Sequence, residues 1–127
     1  MKKRTPYFLL FLLLFLANEI NAQNFKFDKL SHDFGSIKAG KDTLWTAFTF
    51  TNDGSESLII SDVKTSCDCT LAEWPKTPIQ PGKSAVIKGG FKIEGKSAAF
   101  SKNIIIMANT MPGTTFLTMK GLIVENP

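Results

Sequence analysis

One strand and the turn after it are visible in LWTAFTFTNDG, residues 44–54. Phe48 and Phe50 lie on the same face of an extended chain because side chains two positions apart point the same way, and the odd positions between them point to the other face. Asn52-Asp53-Gly54 then supplies residue types that favour a tight turn. The stretch therefore predicts a β-strand with one face on a hydrophobic core.

Strand patterns of this kind recur through the rest of the chain. Alternation continues in residues 85–93 and 115–120, and β-branched and aromatic residues are over-used in residues 25–28, 57–64 and 101–108. Turn signals separate these segments at nearly regular intervals, and no amphipathic helical pattern follows the N-terminal region. We predict an all-β fold, a single antiparallel immunoglobulin-like β-sandwich of about seven strands.

Three short features interrupt or decorate this pattern. Gly89-Gly90 breaks a strand and predicts a bulge or a close approach by a neighbouring strand. Ile104-Ile105-Ile106 is apolar on both faces, which favours a strand covered on both sides, although Ile105 remains a candidate partner-binding residue. Trp74 precedes Pro75 and is the second candidate for partner binding, but we favour a role in closing one end of the sandwich.

The N-terminal region has the pattern of an export signal. Lys2-Lys3-Arg4 is followed by an apolar run over residues 7–17, which as a helix is roughly 16 Å long and too short to span a bilayer. The small residue Ala22 suits cleavage before the next residue. We expect residues 1–22 to be a signal peptide and residues 23–127 to be the mature domain, exported to the periplasm or secreted, with no membrane span.

Charge and motif content restrict the function. The chain has 15 basic and 11 acidic residues, and 12 and 10 remain without the leader. They are scattered rather than clustered, so we expect no nucleic-acid partner. The sequence shows no paired carboxylates, glycine-rich phosphate loop or serine-elbow motif. We expect a protein that is not an enzyme and needs no cofactor.

Both cysteines lie in SCDCT, residues 66–70. A disulfide between Cys67 and Cys69 would close a loop of three residues and stabilise the fold by only about 1.6 kcal/mol, so it would be labile rather than structural. Lability suits thiol–disulfide exchange, although the carboxylate of Asp68 disfavours a second negative charge nearby. Two adjacent thiolates also suit a two-coordinate Cu(I) site.

His32, the only histidine, extends the alternatives for the cysteines. It could complete a set of at most three metal ligands with Cys67 and Cys69, or act as the base for a cysteine nucleophile. The second arrangement is weakened because Asp33, adjacent in sequence, points to the opposite face of a strand. We favour a simpler interpretation, in which one or both thiols are buried as small apolar groups in a turn.

The order of several short motifs resembles the bacterial domain of unknown function 1573. The resemblance runs from about Phe25 to Val124 and rests on HDFG at 32–35, FTNDG at 50–54, LII at 58–60, SCDCT at 66–70, PIQPG at 78–82 and KG at 120–121. It implies an immunoglobulin-like sandwich, similar to domains named after the ciliary protein Hydin and to major sperm protein, in exported proteins without an assigned activity. The usual family tripeptide is Cys-Gly-Cys, whereas Asp68 stands between the cysteines here, with less backbone freedom than glycine.

These observations lead to two hypotheses about function. The first is a non-enzymatic exported module that binds another envelope or secreted protein, through a sheet edge or through the loops near residues 67–74. The alternative is a thiol-based protein that uses Cys67 and Cys69 for Cu(I) binding or redox chemistry.

Overall fold

The computed structural model describes residues 24–93 and 97–125, so the expected signal peptide lies outside the described residues. The described residues form eight strands and no helix: β1 (Phe25–Phe27), β2 (Ser31–Lys38), β3 (Thr43–Asn52), β4 (Ile60–Thr65), β5 (Thr70–Glu73), β6 (Ser84–Lys92), β7 (Ala98–Ala108) and β8 (Thr114–Val124). The first sheet has the order β1-β3-β6-β5 and the second the order β2-β8-β7-β4. The all-β sandwich is confirmed, with eight strands instead of about seven. Within the described ranges, no helix could cross a membrane.

The core lies between the inner faces of the two sheets and follows the alternation along the strands. Phe48 and Phe50 of β3 are fully buried, as the sequence predicts. The other fully buried apolar side chains are Leu58, Ile87, Ile104, Ile106, Leu117 and Met119. Burying one such side chain stabilises the fold by about 1.5–3 kcal/mol, so these contacts hold the layers together.

The first two strands belong to different sheets. β1 pairs with β3 in the first sheet, and residues 28–30 then carry the chain to the edge of the second sheet, where β2 pairs with β8. This second pairing is parallel, so the prediction of a wholly antiparallel sandwich is wrong here. β2 is also bulged between Asp33 and Ser36, where Gly35 has φ 69°. The bulge breaks the regular alternation, which explains why the sequence pattern did not reveal this strand.

The glycine pair of β6 makes room for side chains. The register of β3 with β6 runs without a shift from Thr43 to Thr51, so the predicted bulge is absent. A Cβ at Gly89 would lie 2.7 Å from Cδ1 of Ile104 on the inner face, and a Cβ at Gly90 would lie 2.8 Å from the Trp45 ring on the outer face. The close approach is therefore made by side chains on both faces and not by a strand.

Candidate functional site

Cys67 and Cys69 form a disulfide within the loop that leads from β4 in the second sheet to β5 in the first. Their Cα atoms are 5.3 Å apart, closer than in an extended strand. The carbonyl of Cys67 accepts the N–H of Thr70 at 3.1 Å, which closes a tight turn. No described residue other than glycine has a positive φ, so Asp68 fits this turn without the freedom of a glycine. We call residues 66–70 the cystine turn.

The cystine turn is held by both sheets. The N–H of Ser66 donates to the carbonyl of Asn103 in β7 at 3.2 Å, and the N–H of Asn103 donates to Oγ of Ser66 at 3.2 Å. On the other side, the N–H of Lys92 in β6 donates to the carbonyl of Cys69 at 2.8 Å. The backbone around the two sulfurs is therefore fixed by hydrogen bonds that do not involve the disulfide.

The prediction of buried free thiols is wrong. Both cysteines are half-buried, and none is free among the described residues. The turn brings the two sulfurs together, a possibility that an extended backbone does not offer. In this state the sulfurs are bonded to each other, and no group of three or more His, Cys, Asp or Glu within the described residues could hold a metal. His32 therefore does not join the cysteines as a third ligand, and its ring contacts Lys29 and Phe34 instead.

A groove of about 260 Å³ lies beside the cystine turn. It is lined by Cys69, Phe91, Lys92, Ala98, Ala99, Phe100, Lys102 and Ile123. The rings of Phe91 and Phe100 are stacked with their centroids 4.1 Å apart, so they form a rigid apolar wall. We call this feature the cystine groove.

Lys102 occupies an unusual position in the cystine groove. It lies opposite the fully buried Met119 in the register of β7 with β8, and two residues from the buried Phe100 and Ile104 on either side. Its Cβ therefore points to the inner face of the sheet, where charged residues are rare. A lysine that interrupts an alternating apolar series is visible in the sequence, but Lys102 was not among the predicted site residues.

His32 belongs to a separate polar cluster where β1 passes into β2. Its Nδ1 accepts a hydrogen bond from Nζ of Lys29 at 2.9 Å, and the same Nζ donates to Oγ1 of Thr46 at 3.3 Å. Burial lowers the pKa of His32, the Lys29 ammonium lowers it further, and the Asp33 carboxylate partly offsets both effects. Only a neutral imidazole nitrogen can accept a hydrogen bond from the Lys29 ammonium, so protonation of His32 at Nδ1 would remove this bond and the cluster stabilises the fold in a pH-dependent way.

A different feature lies at the edge of the first sheet. β1 pairs only with residues 50–52 of β3, so residues 43–48 pair with β6 on one side and with no described strand on the other. The N–H of Asp28 donates to the carbonyl of Thr49, which shows that the odd residues of β3 direct their backbone groups away from β6. The backbone groups of Trp45 and Ala47 therefore point to the open side. We call residues 43–48 the free edge.

The free edge belongs to a strand without register shifts and lies beside an exposed tryptophan. Trp45 is 46% exposed, and its ring covers Gly90 of the neighbouring strand. A depression of about 500 Å³ beside it is lined by Trp45, Thr46, Ala47, Glu73 and Lys88. The other edges are less suited to pairing, because β2 and β4 contain register shifts and β5 has only four residues.

The two predicted partner-binding residues lie apart from one another. Trp74 is half-buried against the core, and Nζ of Lys76 lies 3.0 Å from the centroid of its ring. Ile105 lies on the outer face of the second sheet opposite Phe116, which is 56% exposed, so the outer face is only partly covered there. The structure brings neither residue to the free edge.

Several solved structures share this fold. A protein of unknown function from Porphyromonas gingivalis W83 has a TM-score of 0.67 at 17% identity, over 81% of this chain and 48% of that chain. The ASH/PapD-like domain 7 of human CEP192 has a TM-score of 0.66 at 8% identity, over 84% of this chain and 89% of that domain's chain. The secreted serine protease VesC from Vibrio cholerae has a TM-score of 0.57 at 13% identity, over 86% of this chain and 24% of the VesC chain. At these identities the likeness shows the fold alone.

The chain thus spans about half of the Porphyromonas gingivalis chain and about a quarter of VesC. No curated protein matches its sequence. The profile of a family described as proteins of unknown function, DUF1573, matches residues 25–123, in agreement with the motifs in the sequence. Because this match covers most of the chain, the protein belongs to the DUF1573 family.

Proposed function

We propose that this protein is a non-enzymatic exported module that binds an extended segment of another envelope or secreted protein along the free edge. The observation that carries the proposal is the short reach of β1, which pairs with only three residues of the ten-residue β3. Unpaired N–H and C=O groups on an edge strand can bind an added strand with main-chain hydrogen bonds. Export of the protein rests on the pattern of residues 1–22.

Three properties of the free edge support this mode of binding. β1 already adds a strand to the same edge, so a bound segment would continue the line of pairing that β1 begins. Six residues extend over about 20 Å, the length of a typical short strand. The exposed ring of Trp45 lies on the outer face of β3 and offers an apolar contact for a side chain of the segment, and Lys88 of the neighbouring β6 lies opposite Ala47 on the same face.

The proposal is tested first by crosslinking in the cells that make the protein. A photoreactive amino acid at position 47 should crosslink to a partner, and the same amino acid at position 64 is the control. Lys64 is exposed, as Ala47 is, and it lies on β4, an edge strand of the second sheet. The partner identified by mass spectrometry is then purified, and its affinity for the isolated protein is measured.

Proline substitutions distinguish strand addition from side-chain contact. Ala47→Pro removes an N–H that points to the open side and should weaken binding by about three- to tenfold or more, the value of one lost hydrogen bond. Ala72→Pro removes an N–H that also points away from β6 and should leave the affinity unchanged. Equal losses in the two proline variants, or crosslinking only from position 64, would contradict binding at the free edge.

A further inference from the structure

We propose that the disulfide is a thiol–disulfide exchange site in which Cys69 is the sulfur that is attacked and Cys67 is the leaving thiolate. The bond lies within a single turn, and the hydrogen bonds that attach this turn to β6 and β7 are made by backbone groups and Ser66. The oxidised and reduced forms can therefore share one fold. A half-exposed disulfide that the fold does not require is suited to exchange.

The cystine groove distinguishes the two cysteines. Cys69 is the cysteine that lines the cystine groove, and Cys67 is not among its lining residues. A thiolate that enters the groove therefore reaches Cys69 first. The walls of the groove near Cys69 include the small side chains Ala98 and Ala99, which leave room for the incoming sulfur and its carbon chain.

Two cations line the same groove. Lys92 lies on β6 beside the cystine turn, and Lys102 reaches the groove from the inner face of β7. Cationic side chains attract an anionic thiolate and stabilise the thiolate that leaves. The Asp68 carboxylate opposes this effect, but Asp68 is exposed, so solvent screens its charge. In this reaction Lys102, although it lies within an apolar series, attracts the attacking thiolate and stabilises the one that leaves.

A buried hydroxyl lies next to both sulfurs. Thr70 is only 4% exposed, and its Oγ1 lies 3.4 Å from Sγ of Cys67 and 3.8 Å from Sγ of Cys69. When the bond between the sulfurs breaks, this hydroxyl can donate a hydrogen bond to the new thiolate. The shorter distance favours Cys67 as the sulfur that leaves with the negative charge.

The reaction oxidises a dithiol of a partner and reduces the disulfide. One thiolate of the partner attacks Sγ of Cys69, which forms a mixed disulfide and releases Cys67 as a thiolate. The partner's second thiolate then attacks the partner's first sulfur, which is bonded to Sγ of Cys69, and Cys69 leaves as a thiolate. The partner ends as a disulfide, its two electrons reside on the sulfurs of Cys67 and Cys69, and its two protons complete their thiols.

The site of attack is tested with the purified, oxidised protein and reduced glutathione, a small anionic thiol. The reaction is stopped with acid at early times, free thiols are blocked with a maleimide, and fragmentation mass spectrometry locates the glutathione. We expect most of the intermediate to carry glutathione on Cys69 and maleimide on Cys67. Glutathione found mainly on Cys67, or no reduction while the fold stays intact by circular dichroism, overturns the proposal.

The role of the cations is tested with Lys102→Met, which keeps the length of the side chain and removes its charge. Reduction by glutathione should slow by about three- to tenfold, the effect of one charge at a partly screened site. The loss should be smaller with 2-mercaptoethanol, whose thiolate carries less negative charge. Lys64→Met, on the edge strand β4 opposite Ile105, is the matched control and should leave both rates unchanged. Equal losses in the two variants overturn the electrostatic role.

The role of the hydroxyl is tested with two variants of Thr70. Thr70→Val keeps the shape of the side chain and should slow reduction several-fold, because the Cys67 thiolate loses its donor. Thr70→Ser keeps the donor and should restore most of the rate. If Thr70→Val and Thr70→Ser are reduced at equal rates, Thr70 has only a packing role and the assignment of Cys67 as the leaving sulfur fails.

Discussion

Gly121 shows how tightly the inner layer of β8 is packed, and substituting it tests the packing directly. Gly121 pairs with Phe100 in β7, and a Cβ at this position would lie 2.8 Å from Cζ of Phe100 and 3.1 Å from the carbonyl oxygen of Gly35. The Phe100 ring cannot move away freely, because it is stacked on Phe91 with 4.1 Å between centroids. Gly121→Ala therefore places a methyl group where no free volume exists.

The expected cost follows from two opposing effects. Overpacking of this kind costs about 1–3 kcal/mol. Replacing glycine by alanine within a strand returns about 0.5–1 kcal/mol, because the unfolded chain loses freedom. The net result is a loss of about 1–2 kcal/mol in the free energy of unfolding, which corresponds to a fall of about 5–15 °C in Tm for a domain of this size.

Urea denaturation and thermal melting of Gly121→Ala measure this loss. Gly40→Ala is the matched control, because a Cβ at Gly40 has no atom within 4 Å, and it should be neutral or slightly stabilising. Phe100→Leu should cost less in the Gly121→Ala background than alone, since the smaller side chain frees the space that the methyl group needs. A Gly121→Ala variant as stable as the parent, or strictly additive effects in the double variant, would refute the packing argument.

Three further predictions concern stability, pH and processing. Phe48→Ala should lower the free energy of unfolding by about 3–5 kcal/mol, because Phe48 is fully buried. Reduction of the disulfide should lower it by no more than about 2 kcal/mol, because the bond closes a loop of only three residues. Urea denaturation measures both losses, and unfolding of the protein by a mild reductant would contradict the second. Burial and the Lys29 ammonium lower the pKa of His32 in the folded protein, so the unfolded chain binds a proton at a higher pH than the folded protein does. The free energy of unfolding should therefore fall as pH decreases below about 6.5. Denaturation midpoints measured at several pH values should depend less on pH in His32→Gln. N-terminal sequencing of the exported protein should begin within a residue or two of Gln23.

Periodicity was enough to predict the core of the sandwich but not the partners of its strands. The alternation around Phe48 and Phe50 identifies β3 and its buried face, because side-chain direction depends only on the local backbone. The sequence pattern did not predict β2, because the bulge near Gly35 disrupts the alternation and the parallel partner, β8, lies at the other end of the chain. Pairing between distant strands is set by the packing of the layers, which local patterns do not contain.

The candidate site shows the same division between local and tertiary information. The sequence identified Cys67 and Cys69 and the small stabilisation that a bridge between them gives. It did not predict that the bridge forms, because the turn depends on hydrogen bonds to Asn103 and Lys92 in two other strands. The interruption of an apolar series by Lys102 is visible in the sequence, but the groove that this lysine lines is formed by strands of both sheets and is not.

The parallel pairing of β2 with β8 has a mechanical consequence. These strands lie near the two ends of the described sandwich in sequence, so force applied through the chain at both ends pulls them in opposite directions along their length. The hydrogen bonds between them are then loaded in shear and must break together rather than one after another. A domain built in this way is suited to a position under tension, where it would resist extension before its core is exposed.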